Sequence, residues 1–224
     1  MTVVGTVVAA RMNSVRLPGK AMLDLDGVPM IQFLLDRLRS TKLGGPVVFA
    51  TTERADDDVL ASHVAGMGVP VFRGADDDVA QRYVAAGHEF GFDWIVRVTG
   101  DCPFVDGESL DFCLSQWNAD AIGTVHSTKG AFPVGIDYEV VATETLRVEW
   151  PKMSAQEREH VTLRLYRPEL GFVVRQFTPP ASWPVAHARY VVDTPSDYGN
   201  AARWTARLGS RRFSVQRLLE LADD

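Results

Sequence analysis

The sequence predicts a three-layer α/β/α fold on a mostly parallel mixed sheet, with a small inserted α+β segment. Three observations predict it. Short β-branched runs alternate with longer amphipathic stretches through the first half of the chain, the pattern of successive βαβ units. That rhythm changes after residue 117, where strand-like runs follow one another more closely. Hydrophobic residues make up 46% of the 224 and charged residues 23%, enough apolar side chains for a substantial core.

Residues 3–8 read as a buried first strand, followed by a helix over 30–38 with Ile31, Leu34, Leu35 and Leu38 on one face. Strand 46–51, helix 57–67, strand 69–72, helix 79–90 and strand 94–98 continue the alternation. A helix over 106–117 closes this half. Beyond it, 119–125, 136–142, 172–177 and 189–192 read as strands, with a helix over 154–166 among them. Helices over 196–208 and 214–221 finish the chain. No Pro/Gly-rich break separates two units, so residues 1–224 are expected to form one domain, with 126–175 as an excursion from it.

Bulk properties narrow the partners. A net charge of -6 disfavours nonspecific nucleic-acid binding, which needs a surplus of Lys and Arg against phosphate. The apolar start has no basic residues before it, is too short to cross a bilayer, and is followed at once by Arg11. Cys102 and Cys113 are too few for a disulfide framework and suit a reduced, cytoplasmic protein with no membrane partner.

The most informative segment is Ala9-Ala10-Arg11-Met12-Asn13-Ser14-Val15-Arg16-Leu17-Pro18-Gly19-Lys20. It follows the first strand, at the sheet edge where open α/β folds place their ligands. Arg11, Arg16 and Lys20 put three cations within ten residues, and the small residues let backbone amides approach a ligand. Such a loop can hold a triphosphate; the alternative is a surface loop with solvated charges. It matches neither the P-loop nor the dinucleotide glycine pattern.

This stretch resembles the N-terminal signature of the cytidylyltransferase family, which includes CMP-Kdo synthetases, CMP-acylneuraminate synthetases and SpsF-type spore-coat polysaccharide proteins. Four further blocks extend the resemblance in order. Residues 97–106, R-V-T-G-D-C-P-F-V-D, resemble the family's T-G-D-C-P-L-I-D. Residues 132–139, F-P-V-G-I-D-Y-E, resemble the SpsF-type F-P-x-G-x-D-x-E, and 157–162 match E-R-E-H-V-T. Residues 192–197, V-D-T-P-S-D, resemble V-D-T-P-E-D. The motifs by which the Kdo and neuraminate enzymes read a sugar carboxylate are not recognisable.

The resemblance implies a nucleotide-diphospho-sugar transferase-like fold and transfer of CMP from CTP to a sugar acid or similar small acceptor, releasing pyrophosphate. It implies Mg²⁺ held by Asp101 and Asp193, with Arg11, Lys20 and Asp101 catalytic. Ala9, Ala10, Ser14 and Arg16 would complete the nucleotide site, and Arg73, Asp78 and Arg82 would wall the base. Gly135, Asp137, Glu139, Glu159 and His160 are the acceptor candidates. A homodimer with 126–175 near its interface is also implied.

Blander readings accompany several of these. Asp101 and Asp193 could be turn and helix caps, and Asp78 with Arg82 an i,i+4 helix pair. The acidic runs Asp56–Asp58 and Asp76–Asp78 each precede an amphipathic helix and read as helix starts. Glu139 would face either a pocket or solvent. Two rival functions remain: a glycosyltransferase using a preformed nucleotide sugar, and a non-catalytic nucleotide-binding protein.

Overall fold

The structure, a computed structural model, describes residues 2–119, 123–184 and 188–222. β1 (Val4–Ala9) leads through a long loop to a small hairpin, β2 (Asp24–Leu25) with β3 (Val28–Pro29), and then to α1 (Met30–Leu38). β4 (Val47–Thr52), α2 (Asp58–Gly66), β5 (Val71–Gly74), α3 (Val79–Glu89), β6 (Trp94–Thr99) and α4 (Gly107–Ser115) follow. The remainder comprises β7 (Thr124–Ser127), β8 (Glu139–Ala142), α5 (Thr143–Glu149), α6 (Ala155–Glu159), β9 (Val173–Gln176), α7 (Pro195–Leu208) and α8 (Val215–Ala222).

Seven strands form one sheet in the order β5-β4-β1-β6-β8-β7-β9. β5, β4, β1 and β6 run parallel, with Val8 opposite Phe49 on one side and Val98 on the other. β8 is antiparallel to both β6 and β7, and β9 returns parallel to β7. The sheet is therefore mixed and mostly parallel, as the sequence predicts.

Strand alternation divides the core between two layers. Val8, Phe49, Val96, Val98 and Val140 pack against α1, α2 and α4. Val7, Val48, Ala50, Ile95 and Val141 face α3 and α5 on the opposite side. A third cluster joins Phe33 and Phe104 to Tyr190, Val192 and the apolar faces of α7 and α8. Among the described residues no helix is long and apolar enough to cross a membrane.

Helix ends follow local chemistry. Asp78 caps α3 by accepting from the Gln81 amide at 2.8 Å, and Asp106 caps α4 through the Ser109 amide at 2.8 Å. Ser154 with Glu157 and Thr194 with Asp197 form reciprocal capping boxes at α6 and α7.

Two expectations need correction. The helix predicted over 154–166 is interrupted: α6 has five residues, Val161 takes a positive φ of 38°, and a 3-10 turn covers Leu163–Tyr166. The interruption lets Val161 and Leu165 enter the core while the Thr162 hydroxyl bonds to Glu139. Residues 189–192 form no strand; their amides bond to loops, Tyr190 to the Val134 carbonyl and Val192 to that of Asp101. The acidic run at Asp56–Asp58 does start α2, as expected, but the Asp57 side chain makes no cap bond and is buried. Part of the predicted strand over 119–125 lies outside the described residues.

Candidate active site

The chain crosses from β5, on one side of β1, to β6 on the other. Such a switch of direction opens a crevice at the carboxyl ends of the two central strands. Here it is a cleft of about 380 Å³ between the loop after β1 and the Thr99-Gly100-Asp101 turn after β6. Ala9, Ala10, Arg11, Ser14, Arg16 and Lys20 line one wall; Arg82 and Tyr83 of α3, with Arg97 and Thr99 of β6, line another. Glu159 and His160 enter from the end of α6, and Asp193 from the segment before α7.

Lys20 is the centre of the charge arrangement. Its Nζ donates to Asp101 Oδ2 at 3.0 Å, Asp193 Oδ1 at 3.0 Å and the Val192 carbonyl at 2.9 Å. Thr194 rather than Asp193 caps α7, which leaves Asp193 to pair also with Arg16 at 3.1 Å and Arg189 at 2.8 Å. Burial works against the Asp101 carboxylate, but the Lys20 ammonium outweighs it and holds Asp101 below its usual range.

Two carboxylates and a backbone carbonyl therefore already surround one cation, the lysine's own. These are hard oxygen donors, and Mg²⁺ takes one or two carboxylates while keeping several waters. The donor set fits that ion. Among the described residues no group of three or more His, Cys, Asp or Glu gathers as a metal site, so the Asp pair is what the cleft offers.

The arginines differ in how they are held. Arg11 reaches the Asp76 carbonyl at 2.9 Å and Glu159 at 3.2 Å. Arg82 converges on the same Asp76 carbonyl at 3.0 Å and also donates to that of Ala75. Its pKa is lowered by burial first and by neighbouring Arg11 second. Arg97 pairs with buried Glu139 at 2.9 Å, and this carboxylate raises its pKa despite the opposing effect of burial.

Several predicted residues lie elsewhere. Arg73 ties down the loop after β4 through the carbonyls of Thr52 and Arg54 and the Asp58 carboxylate. Asp78 does not pair with Arg82; besides capping α3 it accepts from Trp150 Nε1 at 2.8 Å and from Arg158. Gly135 packs so closely on the Tyr190–Val191 backbone that a Cβ there would lie 2.1 Å from the Val191 nitrogen. Asp137 accepts from the Gly135 amide and braces that turn. Glu139, 0% exposed, faces neither pocket nor solvent. It accepts from Arg97, Thr162 and Tyr166 and pairs with Lys129, joining β6, β8 and the segment after α6.

Sequence reading missed Arg97, Tyr83 and Thr99 as cleft residues. Arg97 stood inside a recognised motif, and a charged residue two positions before Thr99 on a buried strand was the available signal. Cys102 is a buried free thiol, its pKa pushed well up by burial and by Asp101, which suits packing rather than nucleophilic attack.

The family model for cytidylyltransferases matches residues 6–203. The spore coat polysaccharide biosynthesis protein SpsF of Bacillus subtilis is 32% identical over 212 residues, covering 92% of this chain and 87% of that protein. The structure of a cytidylyltransferase from Leptospira borgpetersenii serovar Hardjo-bovis superposes with a TM-score of 0.91 at 30% identity, covering 100% of this chain and 94% of the other. CMP:2-keto-3-deoxy-manno-octonic acid synthetase complexed with CTP superposes with a TM-score of 0.67 at 21% identity, covering 92% and 100%. That last likeness is one of fold.

Proposed function

The chain is a nucleotidyltransferase of the cytidylyltransferase family, and from that premise we propose that it transfers CMP from CTP to a sugar acid or similar small acceptor, releasing pyrophosphate. The observation that carries this reading is Lys20 clasped between Asp101 and Asp193 at the mouth of the β1/β6 crevice. A site of this kind combines a mobile cation for phosphate with two carboxylates suited to a divalent ion.

In-line attack by an acceptor oxygen on the α-phosphorus asks the protein mainly to position groups and offset charge. Arg11 and Arg16 hold the β- and γ-phosphates. Lys20 leaves its carboxylates for the triphosphate and offsets charge developing at the α-phosphate. Asp101 and Asp193 would hold Mg²⁺, which would supply charge neutralisation at the phosphate oxygens. Glu159 and His160 face the acceptor, where His160 can take an anionic group or a proton.

The same reading treats residues 1–224 as one cytoplasmic catalytic domain that works as a homodimer. β9 supports the dimer: it ends the sheet with all four residues exposed, an edge that proteins ordinarily cover.

The test is pyrophosphate release in the presence of Mg²⁺, offering each of the four nucleoside triphosphates against a panel of sugar acids and neutral sugars. Release with CTP and one acceptor class supports the proposal. Transfer from a preformed nucleotide sugar without pyrophosphate would replace it with the glycosyltransferase reading.

A further inference from the structure

Asp57 is 1% exposed, yet among the described residues it has no cationic partner. A carboxylate withdrawn from water is costly unless its oxygens are well bonded. Its Oδ1 accepts the Met12 amide at 2.7 Å, and its Oδ2 accepts the Thr52 hydroxyl. The side chain therefore leaves the start of α2 and reaches beneath the cationic loop.

Met12 is where that loop closes. Its carbonyl accepts the amides of Ser14 at 2.9 Å and Gly19 at 2.8 Å, so residues 12 and 19 form a neck. Gly19 turns there with a φ of 73°, a left-handed conformation that suits glycine. Arg11 stands immediately before the neck and Lys20 immediately after it. Beyond it the loop projects outward, with Val15 94% exposed at its tip.

We propose that Asp57 is a positioning residue for nucleotide transfer: by anchoring the Met12 amide at the loop neck, it sets the separation of Arg11 and Lys20 before CTP arrives. The inference rests on the nucleotidyl-transfer reading above. Preset charges avoid reorganisation when the triphosphate binds, whereas a loop with a free neck must be ordered by the substrate.

The experiment compares wild type with Asp57→Ala and Asp57→Asn by calorimetric titration with CTP and with CMP, in Mg²⁺, alongside thermal unfolding. Asp57→Ala is expected to weaken CTP binding by roughly tenfold to a hundredfold, the scale of a positioning loss, and CMP binding by less than about threefold. Asp57→Asn keeps an oxygen for the Met12 amide and is expected to stay within about threefold of wild type for both ligands. Equal CTP binding by wild type and Asp57→Ala overturns the proposal. So does equal loss of CTP and CMP, or an Asn variant as impaired as Ala.

Hydrogen exchange in the ligand-free protein separates this inference from the functional reading. Wild type that binds no CTP sinks the nucleotide reading. Faster exchange of the Gly19 amide in Asp57→Ala still supports the anchor, and unchanged exchange overturns it. Should Asp57→Ala fail to fold, Gly19→Val opens the same neck from the loop side. Selective loss of CTP affinity in that variant supports the proposal, and wild-type affinity overturns it.

Discussion

Lys20 Nζ lies 3.0 Å from Asp101 Oδ2, although 81 residues separate the two in sequence. Lys20 bridges Asp101 and Asp193, and on the proposed function it would compete with a divalent ion for these two carboxylates. Lys20→Met should lower turnover by about 10²–10³-fold, the scale of one preorganised charge contact. The same substitution should let the ligand-free protein bind Mn²⁺ more tightly than wild type, read by paramagnetic relaxation of water. Unchanged Mn²⁺ affinity would count against direct competition.

Asp101→Asn should abolish Mg²⁺-dependent pyrophosphate release while leaving the fold intact. Circular dichroism and thermal unfolding check the second half of that statement. Full activity would remove Asp101 from the metal site.

Glu139 makes a pH prediction. Burial pushes its carboxyl upward, but Arg97 and Lys129 outweigh that and hold it below its ordinary 4.5. A group depressed on folding stabilises the protein above its unfolded pKa and loses that contribution as pH falls through the folded value. The melting temperature should therefore fall as pH drops below 4.5, and Glu139→Gln should flatten this acid limb. At neutral pH the variant should lose about 3 kcal/mol or more, because Arg97 stays buried without its partner. An unaltered acid limb would show that other carboxylates control it.

Arg73→Ala tests a residue that the family resemblance implies for the base pocket and that in the structure binds the loop after β4. CTP affinity should remain within about threefold of wild type, while stability falls by roughly 1 kcal/mol for half-exposed hydrogen bonds. A large loss of CTP affinity at unchanged stability would return Arg73 to the nucleotide site.

The β9 edge carries the dimer proposal. Light scattering should find a dimer for wild type and a monomer for Val174→Lys, since a lysine on an exposed strand blocks edge pairing. A variant that remains dimeric would move the interface elsewhere.

The parallel half of the fold was readable because each element there has one periodicity and one buried face. Val7 and Val8 alternate between layers, and Leu34, Leu35 and Leu38 share a helix face. The second half resisted because tertiary bonds override local preference. Glu139 draws Thr162 inward and interrupts what periodicity describes as one helix. The β2/β3 hairpin went unread, although Asp26-Gly27 is a common turn dipeptide. In the cleft, Lys20 was legible from the run of cations in its loop, while the roles of Asp101 and Asp193 came from motif resemblance. Asp57 needed coordinates, because only packing reveals which way a charged side chain turns, whereas Arg97 carried a signal that went unread.

Lys20 and Asp193 stand 173 residues apart, yet one hydrogen bond joins them. On a ribosome that makes about 5–20 residues per second, the loop cations emerge long before their second carboxylate. A nascent chain that has already paired β1 with β6 has Asp101 but still lacks the Asp193 half of the clasp on Lys20. Asp193 can join the clasp only after the segment leading into α7 has left the exit tunnel and docked.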